Sequence, residues 1–154
     1  MICLVPATSA LARAVVLGGV ALPVVHAPDW PHEDTADALR PLAEHPDLTG
    51  EGTFLVLEDD VVVGECGWFG PPVDGEARIG YGLARSARGR GTGTEAVRQL
   101  LAWVHAQGAT SVRAEVLPGN QASLRLLARL GFRPEGARDG HLQLVRSPAP
   151  DEDR

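Results

Sequence analysis

The strongest hydrophobic pattern in the chain lies between residues 94 and 107. Apolar residues recur there at the spacing that places them on one face of an α-helix. The apolar positions are Ala96, Val97, Leu100, Leu101 and Val104. The pattern predicts a helix over Thr94–Gln107, and Gly108 is expected to end it because glycine readily leaves the helical conformation.

Short runs rich in apolar and β-branched residues predict strands elsewhere in the chain. The runs are Ile2–Pro6, Thr53–Leu57, Val61–Gly67, Ala77–Ala84, Val112–Leu117 and His141–Arg146. The acidic residues Glu58, Asp59 and Asp60 join the second run to the third and predict a hairpin with a three-residue loop.

The fourth of these runs has one bare face. Alternate residues of a strand point to opposite faces, so Ile79, Tyr81 and Leu83 share one face. Gly80 and Gly82 fall on the other face. We therefore expect another group to approach the backbone closely at these glycines.

Three more helices are predicted from capping residues and apolar spacing. Their ranges are Thr8–Gly19, Thr35–Leu39 and Gln121–Leu130. The second lies within Pro23–Pro46, a proline-rich stretch that is otherwise expected to be irregular. Gly131 is expected at the C′ position of the third helix, with Phe132 closing the cap by a hydrophobic contact.

Composition adds limits on the class of protein. The chain has 154 residues, 44% hydrophobic and 22% charged, which predicts a single domain over residues 1–146 followed by a disordered, acid-rich tail at 147–154. The 14 basic residues, all arginine, are outnumbered by 20 acidic ones, giving a formal net charge of -6. This balance argues against nucleic-acid or membrane partners and favours cationic ligands.

The cysteines and the N-terminus bear on the compartment. Cys3 and Cys66 match no metal-binding spacing and are expected to be reduced. The apolar stretch Ala14–Val25 resembles the core of a secretory signal, which is the alternative to a cytoplasmic protein. We favour the cytoplasm, because Met1–Val5 already has the pattern of a strand and the apolar run is too short to span a bilayer.

A glycine-rich hexapeptide precedes the strongest helix. In Arg88–Gly93 the alternating glycines remove side chains that would block backbone N–H groups, and two arginines add positive charge. A strand, a glycine-rich turn and a helix N-terminus together favour the binding of phosphate. Taken alone, the hexapeptide would be interpreted as a surface turn with solvated arginines.

The neighbouring motifs change that interpretation. Arg88-x-x-Gly91-x-Gly93 resembles the acetyl-CoA signature of the GNAT superfamily of acetyltransferases. The resemblance continues through the segments 94–96, 115–118, 120–123 and 130–132, in that order. Upstream, Ile79-Gly80-Tyr81 resembles the fourth strand of the branch that includes the ribosomal-protein alanine acetyltransferases. The likeness is strong over about residues 60–136 and loose in the N-terminal third.

The resemblance implies an α/β fold and a cofactor site. The fold would be a mixed, splayed sheet of about seven strands with about four flanking helices, and acetyl-CoA would be the cofactor. The pantetheine arm would pair with the backbone near Leu83 and Arg85, and N–H groups beside Leu83 and Ala84 would stabilise the oxyanion. Asn120 matches an asparagine that commonly binds the arm, although it could equally cap a helix. The implied cofactor-binding residues are Leu83, Ala84, Arg85, Arg88, Gly89, Arg90, Gly91, Thr92, Gly93, Thr94, Asn120 and Ser123.

The general base is less well defined. Family members often have a glutamate at the position of Arg78, so another carboxylate would have to serve. The candidates are Glu115, which is the first choice, and then Glu76 and Glu65. Each could instead be a surface residue paired with arginine.

The general acid and the acceptor site have candidates of their own. The family often uses a tyrosine at the position of Leu127, so Ser123 or a water would replace it. Four aromatic residues lie in the N-terminal segment that often covers the acceptor in this fold, and loop packing or solvent exposure is the favoured role for each. They are His26, Trp30, His32 and His45.

The leading hypothesis is therefore an N-acetyltransferase that moves the acetyl group of acetyl-CoA to a primary amine by direct attack. The acceptor would be a small molecule or a protein N-terminus, and the enzyme a monomer or homodimer. A non-catalytic acetyl-CoA-binding regulatory module is the alternative, and a secreted binding protein is a more distant one.

Overall fold

The computed structural model describes residues 1–49 and 51–147, and its elements follow the predicted order with a few differences. The strands are β1 (Ile2–Pro6), β2 (Thr53–Glu58), β3 (Val61–Trp68), β4 (Glu76–Leu83), β5 (Ser111–Val116), β6 (Arg133–Arg138) and β7 (His141–Arg146). The helices are α1 (Ser9–Leu17), α2 (Thr35–Glu44), α3 (Pro46–Thr49), α4 (Thr92–Ala106) and α5 (Gln121–Arg129).

The strands form one mixed sheet of seven, in the order β1-β2-β3-β4-β5-β7-β6. β4 and β5 are parallel, in a register that runs from Glu76 opposite Ser111 to Ile79 opposite Ala114. The pairs β1/β2, β2/β3, β5/β7 and β6/β7 are antiparallel. The α/β fold class with a mixed seven-stranded sheet is confirmed.

The chain divides into two compact units. The first comprises the described residues of Met1–Gly67 with Tyr81–Leu100, and the second comprises Trp68–Gly80 with the described residues from Leu101 onward. The fully buried side chains of the first unit include Trp30, Leu39, Val56, Val97 and Leu100, and those of the second include Val104, Val112 and Leu127. The single domain over 1–146 stays a prediction, and residues 148–154 of the predicted tail lie outside the described part of the chain.

Helices α1 and α2 lie between β1 and β2 in the chain. The Thr8 side chain accepts a hydrogen bond from the Leu11 N–H at 3.1 Å, so Thr8 is the N-cap of α1. Helix α2 runs five residues past the predicted end at Leu39, from Thr35 to Glu44. The extension contains Pro41 but buries Leu42 and Ala43, and this packing outweighs the unfavourable proline.

Two details of the strands differ from the predictions. Glu58 pairs with Val61, so the first hairpin has a two-residue turn, Asp59–Asp60, with both residues at positive φ. Strand β6 was not predicted at all. Its six residues are all exposed, and Pro134 and Gly136 interrupt it, so it lacks the alternation that marks a strand in sequence.

The end of α5 matches the predicted cap. Gly131 has a φ of 89°, and the Phe132 N–H donates to the Leu127 carbonyl at 3.0 Å, which completes a Schellman motif. Phe132 and Leu127 are both buried. The cap therefore joins the end of α5 to the core of the second unit.

Three further properties bear on the expectations about compartment and chemistry. Cys3 and Cys66 are free thiols, and burial raises the pKa of the Cys66 thiol, which keeps it protonated. Among the described residues, no helix combines the length and the apolar composition needed to cross a bilayer. The described residues also contain no cluster of side chains suited to holding a metal ion.

The burial of Leu39 in α2 leads to a prediction about stability. Leu39→Ala removes a fully buried side chain and is expected to lower the free energy of unfolding by about 2 to 5 kcal/mol. Leu17→Ala is the matched control, because Leu17 is 80% exposed, and its effect should stay within about 0.5 kcal/mol. Urea unfolding followed by circular dichroism measures both. Equal midpoints for the two variants would contradict the packing described for α2.

Candidate active site

The glycine-rich loop has the backbone geometry of an open cradle. Gly89 and Gly91 have φ angles of 82° and 85°, and a Cβ atom at either position would meet no atom within 4 Å. Helix α4 starts at Thr92, two residues earlier than predicted, so the first turn of the helix lies inside the loop motif. The first N–H groups of a helix have no partner within the helix and carry its positive dipole end. The cradle therefore fits a group of negative charge, such as a pyrophosphate.

The two arginines of the loop have different partners. Arg90 Nε donates to both oxygens of Glu58, at 3.0 and 3.2 Å, and Arg90 Nη2 also bonds Glu58. Arg90 Nη1 donates to the Ser86 carbonyl at 2.7 Å. The bonds to Glu58 raise the pKa of the Arg90 guanidinium above its usual value. Arg90 thus fastens the loop to β2, and its positive charge is paired with Glu58.

Arg88 lies next to the end of β4. Its Nε donates to the Leu83 carbonyl at 3.1 Å, and its side chain is exposed. Arg85 is also exposed and opens a 3-10 turn, Arg85–Ala87, that leads into the loop. Asp29 accepts bonds from the Ser86 N–H at 2.8 Å and the Ser86 hydroxyl at 2.7 Å, and these bonds lower the pKa of the Asp29 carboxyl. The turn is therefore held by the N-terminal segment.

One of the two N–H groups proposed for the oxyanion is already bonded. The Ala84 N–H donates to the Val63 carbonyl at 2.8 Å. The buried Ala84 therefore cannot supply a free donor, which corrects that part of the sequence interpretation. The Leu83 N–H stays a prediction.

The face of β4 that lacks side chains is covered by the protein itself. A Cβ atom at Gly82 would lie 2.6 Å from Glu65 Oε2 and 2.8 Å from His32 Nε2. A Cβ atom at Gly80 would lie 3.1 Å from Cζ of Phe69. The expectation of close approach is met, and side chains of this chain are what make that approach.

Glu65 is a buried carboxylate with two side-chain partners. It is 3% exposed, and its Oε1 accepts a hydrogen bond from Trp30 Nε1 at 3.1 Å. Its Oε2 lies 2.7 Å from Nε2 of His32. A buried carboxylate is costly unless it is hydrogen-bonded, so these two contacts are what make its burial tolerable.

For His32 the sequence favoured loop packing or solvent exposure, and the structure shows a packed ring with a buried partner, Glu65. The His32 side chain is only 8% exposed, and the hydrogen bond to Glu65 raises the pKa of the imidazole above its usual value. The two residues are 33 positions apart and on no shared element, so no spacing rule connects them. The bare glycine face was the one sequence signal that pointed to a buried group here.

The other two candidate bases lie in the second unit and are paired with arginines. Arg78 Nη2 donates to Glu115 Oε1 at 2.8 Å, and the Arg78 guanidinium carbon lies 5.7 Å from the ring centre of Phe69. Arg113 donates to both oxygens of Glu76, at 2.8 and 3.2 Å, and these bonds raise the pKa of the Arg113 guanidinium. Both glutamates therefore match the alternative of arginine-paired residues.

Around Glu115 the second unit forms an open pocket. The side chains that line it with Glu115 are Phe69, Arg78, Ile79, Arg113 and His141. Glu115 itself is about one third exposed. The residue chosen first as a base from the sequence is therefore at a solvent-accessible, arginine-rich surface.

Asn120 and Ser123 form the start of α5. The Asn120 side-chain oxygen accepts a hydrogen bond from the Ser123 N–H at 3.2 Å, so Asn120 has the N-cap role considered for it. A second role toward the pantetheine arm stays a prediction, as does a proton-donating role for Ser123. Leu127, at the position of the family tyrosine, is fully buried.

These elements identify the class of protein. The mixed sheet with its glycine-rich loop is the GNAT fold, and a family model described as the acetyltransferase (GNAT) domain matches residues 2–133. This match covers more than half of the chain, so the chain belongs to the GNAT acetyltransferase family.

Individual relatives agree with this assignment. The chain is 35% identical over 117 residues to the uncharacterised N-acetyltransferase p20 of Bacillus licheniformis. That alignment covers 69% of this chain and 64% of the length of the relative, so the chain spans less than two thirds of that protein.

Solved structures share the fold at lower identity. The ribosomal-protein-S5-alanine acetyltransferase from Vibrio fischeri is 19% identical with a TM-score of 0.68, over 97% of this chain and 94% of that one. The yncA structure from Salmonella typhimurium, with its cofactor acetyl-CoA, is 19% identical with a TM-score of 0.65, over 97% and 95%. At such identities the likeness shows the fold alone.

The close contact at Gly82 makes a prediction. Gly82→Ala places a methyl group within 3 Å of Glu65 and His32 and is expected to lower the melting temperature by several degrees, because a buried hydrogen-bonded pair must move. Gly119→Ala is the control, since a Cβ atom there meets open space. Scanning calorimetry compares the two. Equal melting temperatures would show that β4 tolerates a side chain at this position.

Proposed function

We propose that the protein is an acetyl-CoA-dependent N-acetyltransferase that moves an acetyl group to a primary amine by direct attack. The observation that carries the proposal is the open cradle at Gly89 and Gly91, at the N-terminus of the 15-residue helix α4. Membership of the GNAT family and the solved relative with its cofactor acetyl-CoA support it.

The pyrophosphate of acetyl-CoA is proposed to lie in this cradle. The backbone N–H groups of Gly91, Thr92, Gly93 and Thr94 would face it, and Arg88 would add a charge-assisted contact. Arg90 would act indirectly, because its bonds to Glu58 and the Ser86 carbonyl fix the shape of the loop.

The pantetheine arm is proposed to run beside the backbone of Leu83 and Arg85. The Leu83 carbonyl already accepts from Arg88, but a carbonyl oxygen has two lone pairs and can accept a second hydrogen bond. Ala84 would contribute packing rather than an N–H group. Asn120 and Ser123 are proposed as further contacts with the arm.

The acceptor is proposed to be a primary amine of a small molecule or of a protein N-terminus. The excess of acidic residues favours amines that approach as cations. An α-amine with a pKa near ~7.7 is already partly neutral at neutral pH, whereas a lysine amine near ~10.4 is not. We also propose that the enzyme is a monomer or homodimer and works without a nucleic-acid or membrane partner.

Acetyl transfer to a panel of amines tests the proposal. The full-length protein should convert acetyl-CoA to free coenzyme A and add an acetyl group to at least one amine, as seen by mass spectrometry. Gly91→Glu should abolish coenzyme A binding in calorimetry, because a carboxylate would enter the cradle and repel the pyrophosphate.

Gly19→Glu is the matched control for that substitution. Gly19 also has a positive φ, of 72°, and a Cβ atom there also meets open space, so strain and charge change equally. Its affinity for coenzyme A should stay at the wild-type value. Tight binding by Gly91→Glu would refute the placement of the cradle. Binding without acetylation of any amine would favour the non-catalytic regulatory module instead.

The arginines of the loop make a separate prediction. Arg88→Ala should weaken coenzyme A binding by about tenfold at low salt, the scale of one exposed charge-assisted hydrogen bond to phosphate. The loss should shrink as salt is added, because screening weakens the contact in the wild type. Arg129→Ala, an exposed arginine at the end of α5, is the control. An unchanged affinity in Arg88→Ala would assign this side chain to solvent.

A further inference from the structure

The imidazole of His32 is held in one orientation by two hydrogen bonds. Nδ1 accepts from the Asp34 N–H at 3.2 Å, so the lone pair is on Nδ1 and the proton of the neutral ring is on Nε2. Nε2 then donates to Glu65 Oε2 at 2.7 Å. The basic nitrogen of the ring, Nδ1, is therefore on the side away from Glu65, where its lone pair accepts the Asp34 N–H.

Glu65 is placed to stabilise a positive charge on that ring. Its carboxylate is buried, bonded to the imidazole at one oxygen and to Trp30 at the other. A carboxylate on one ring nitrogen fixes the tautomer and favours the imidazolium that forms when the other nitrogen takes a proton. This is the arrangement of a base and its positioning partner.

The pair lies directly on β4. The absence of a side chain at Gly82 lets Glu65 and His32 come within 3 Å of where a Cβ atom would stand. Gly82 adjoins Leu83, where the pantetheine arm is proposed to run. Under the proposed function, the pair is next to the stretch of backbone that would hold the thioester.

We propose that His32 is the general base of the acetyl transfer and that Glu65 is the residue that positions it. The inference rests on the proposed function, and it differs from the first choice made from sequence, Glu115. It also goes beyond Glu65 acting alone, because the proton would be taken by the imidazole.

Atoms, electrons and protons are all conserved in the proposed transfer. The lone pair of the neutral amine forms a bond to the thioester carbon, and the carbonyl π electrons move to oxygen. One amine proton passes to His32 Nδ1, which releases the Asp34 N–H to solvent. The carbonyl reforms, the C–S bond breaks with its electrons on sulfur, and the imidazolium returns the proton to the thiolate. The products are an amide, the thiol of coenzyme A and neutral His32.

Charged groups around His32 set the pH at which it works. Glu65 on β3 and Asp34 on the same segment favour the imidazolium, whereas burial and Arg88 from the loop oppose it. The hydrogen bond to Glu65 is the largest influence, so the pKa of His32 is raised. The base is neutral and active above that pKa, and activity should fall as pH drops through it.

The test is the pH profile of kcat/KM in the wild type and in His32→Gln. Glutamine can still donate to Glu65 but cannot accept a proton. The wild type should show an acid limb that stays at one pH with two acceptors of different amine pKa, since it belongs to the enzyme. His32→Gln should lose this limb and about 100-fold or more in rate at neutral pH, the range for a general base.

His26→Gln is the matched control. His26 is on the same segment, with its ring 5.9 Å from that of Trp30, but its Nδ1 bonds the Ala27 carbonyl instead of a carboxylate. Its acid limb should match the wild type. Coenzyme A binding in calorimetry should be unchanged in both variants, which shows that the fold and the cradle are intact.

Glu65→Gln gives a readout that does not depend on activity. Titration of the His32 ring by NMR should give a pKa above ~6.5, the ordinary value for histidine, in the wild type and a lower one in Glu65→Gln. The acid limb of Glu65→Gln should move to lower pH in parallel. A purely structural role for Glu65 would reduce stability without moving the limb.

The outcomes separate the two proposals. A wild type that acetylates amines, with an acid limb that persists in His32→Gln, overturns the base assignment and leaves the proposed function standing. A wild type that binds coenzyme A but acetylates nothing overturns both. Loss of the limb in His32→Gln, with binding retained, supports the pair.

Discussion

The absence of side chains where β3 and β4 meet is the constraint on which the first unit depends. A Cβ atom at Gly64 would lie 2.4 Å from the Gly82 carbonyl oxygen, a rigid backbone atom. A Cβ atom at Gly82 would lie 2.6 Å from Glu65 Oε2. The two glycines therefore let the strands and the carboxylate pack more closely than any other residues would allow. The approach of His32 to β4 follows from the same gap.

The burial of Glu65 has an energetic consequence. Removing a carboxylate from water costs several kcal/mol unless hydrogen bonds compensate, and here Trp30 and His32 supply them. A buried ionic pair is weak evidence for stability, because apolar residues of similar volume often serve as well. A chemical role therefore explains the Glu65–His32 pair better than a contribution to the stability of the fold does.

The sequence predicted most of the fold because its signals are local. The stripe of α4, the cap formed by Gly131 and the strand His141–Arg146 each depend on residues close together in the chain, and all three are present. Strand β6 could not be predicted, because its own residues show no strand pattern. It is recognised as a strand only by its pairing with β7. The extent of α2 was likewise decided by tertiary packing that outweighed a proline.

The candidate site likewise has one part with a local sequence signal and one part without. The cradle is a continuous segment, so glycine spacing and the following helix were sufficient to propose it. The partners of the charged residues were not visible, because each comes from a distant part of the chain: Glu58 for Arg90, Arg78 for Glu115, and Glu65 for His32.

These partners distinguish the three candidate carboxylates, which the sequence could rank only by their positions in the chain. Both oxygens of Glu76 and Oε1 of Glu115 accept hydrogen bonds from guanidinium groups, which bring a fixed positive charge and no basic atom. Glu65 instead bonds an indole and an imidazole, and the far nitrogen of the imidazole carries a lone pair that accepts the Asp34 N–H. Of these three glutamates, Glu65 is therefore the one whose charge is connected to a group that can accept a proton.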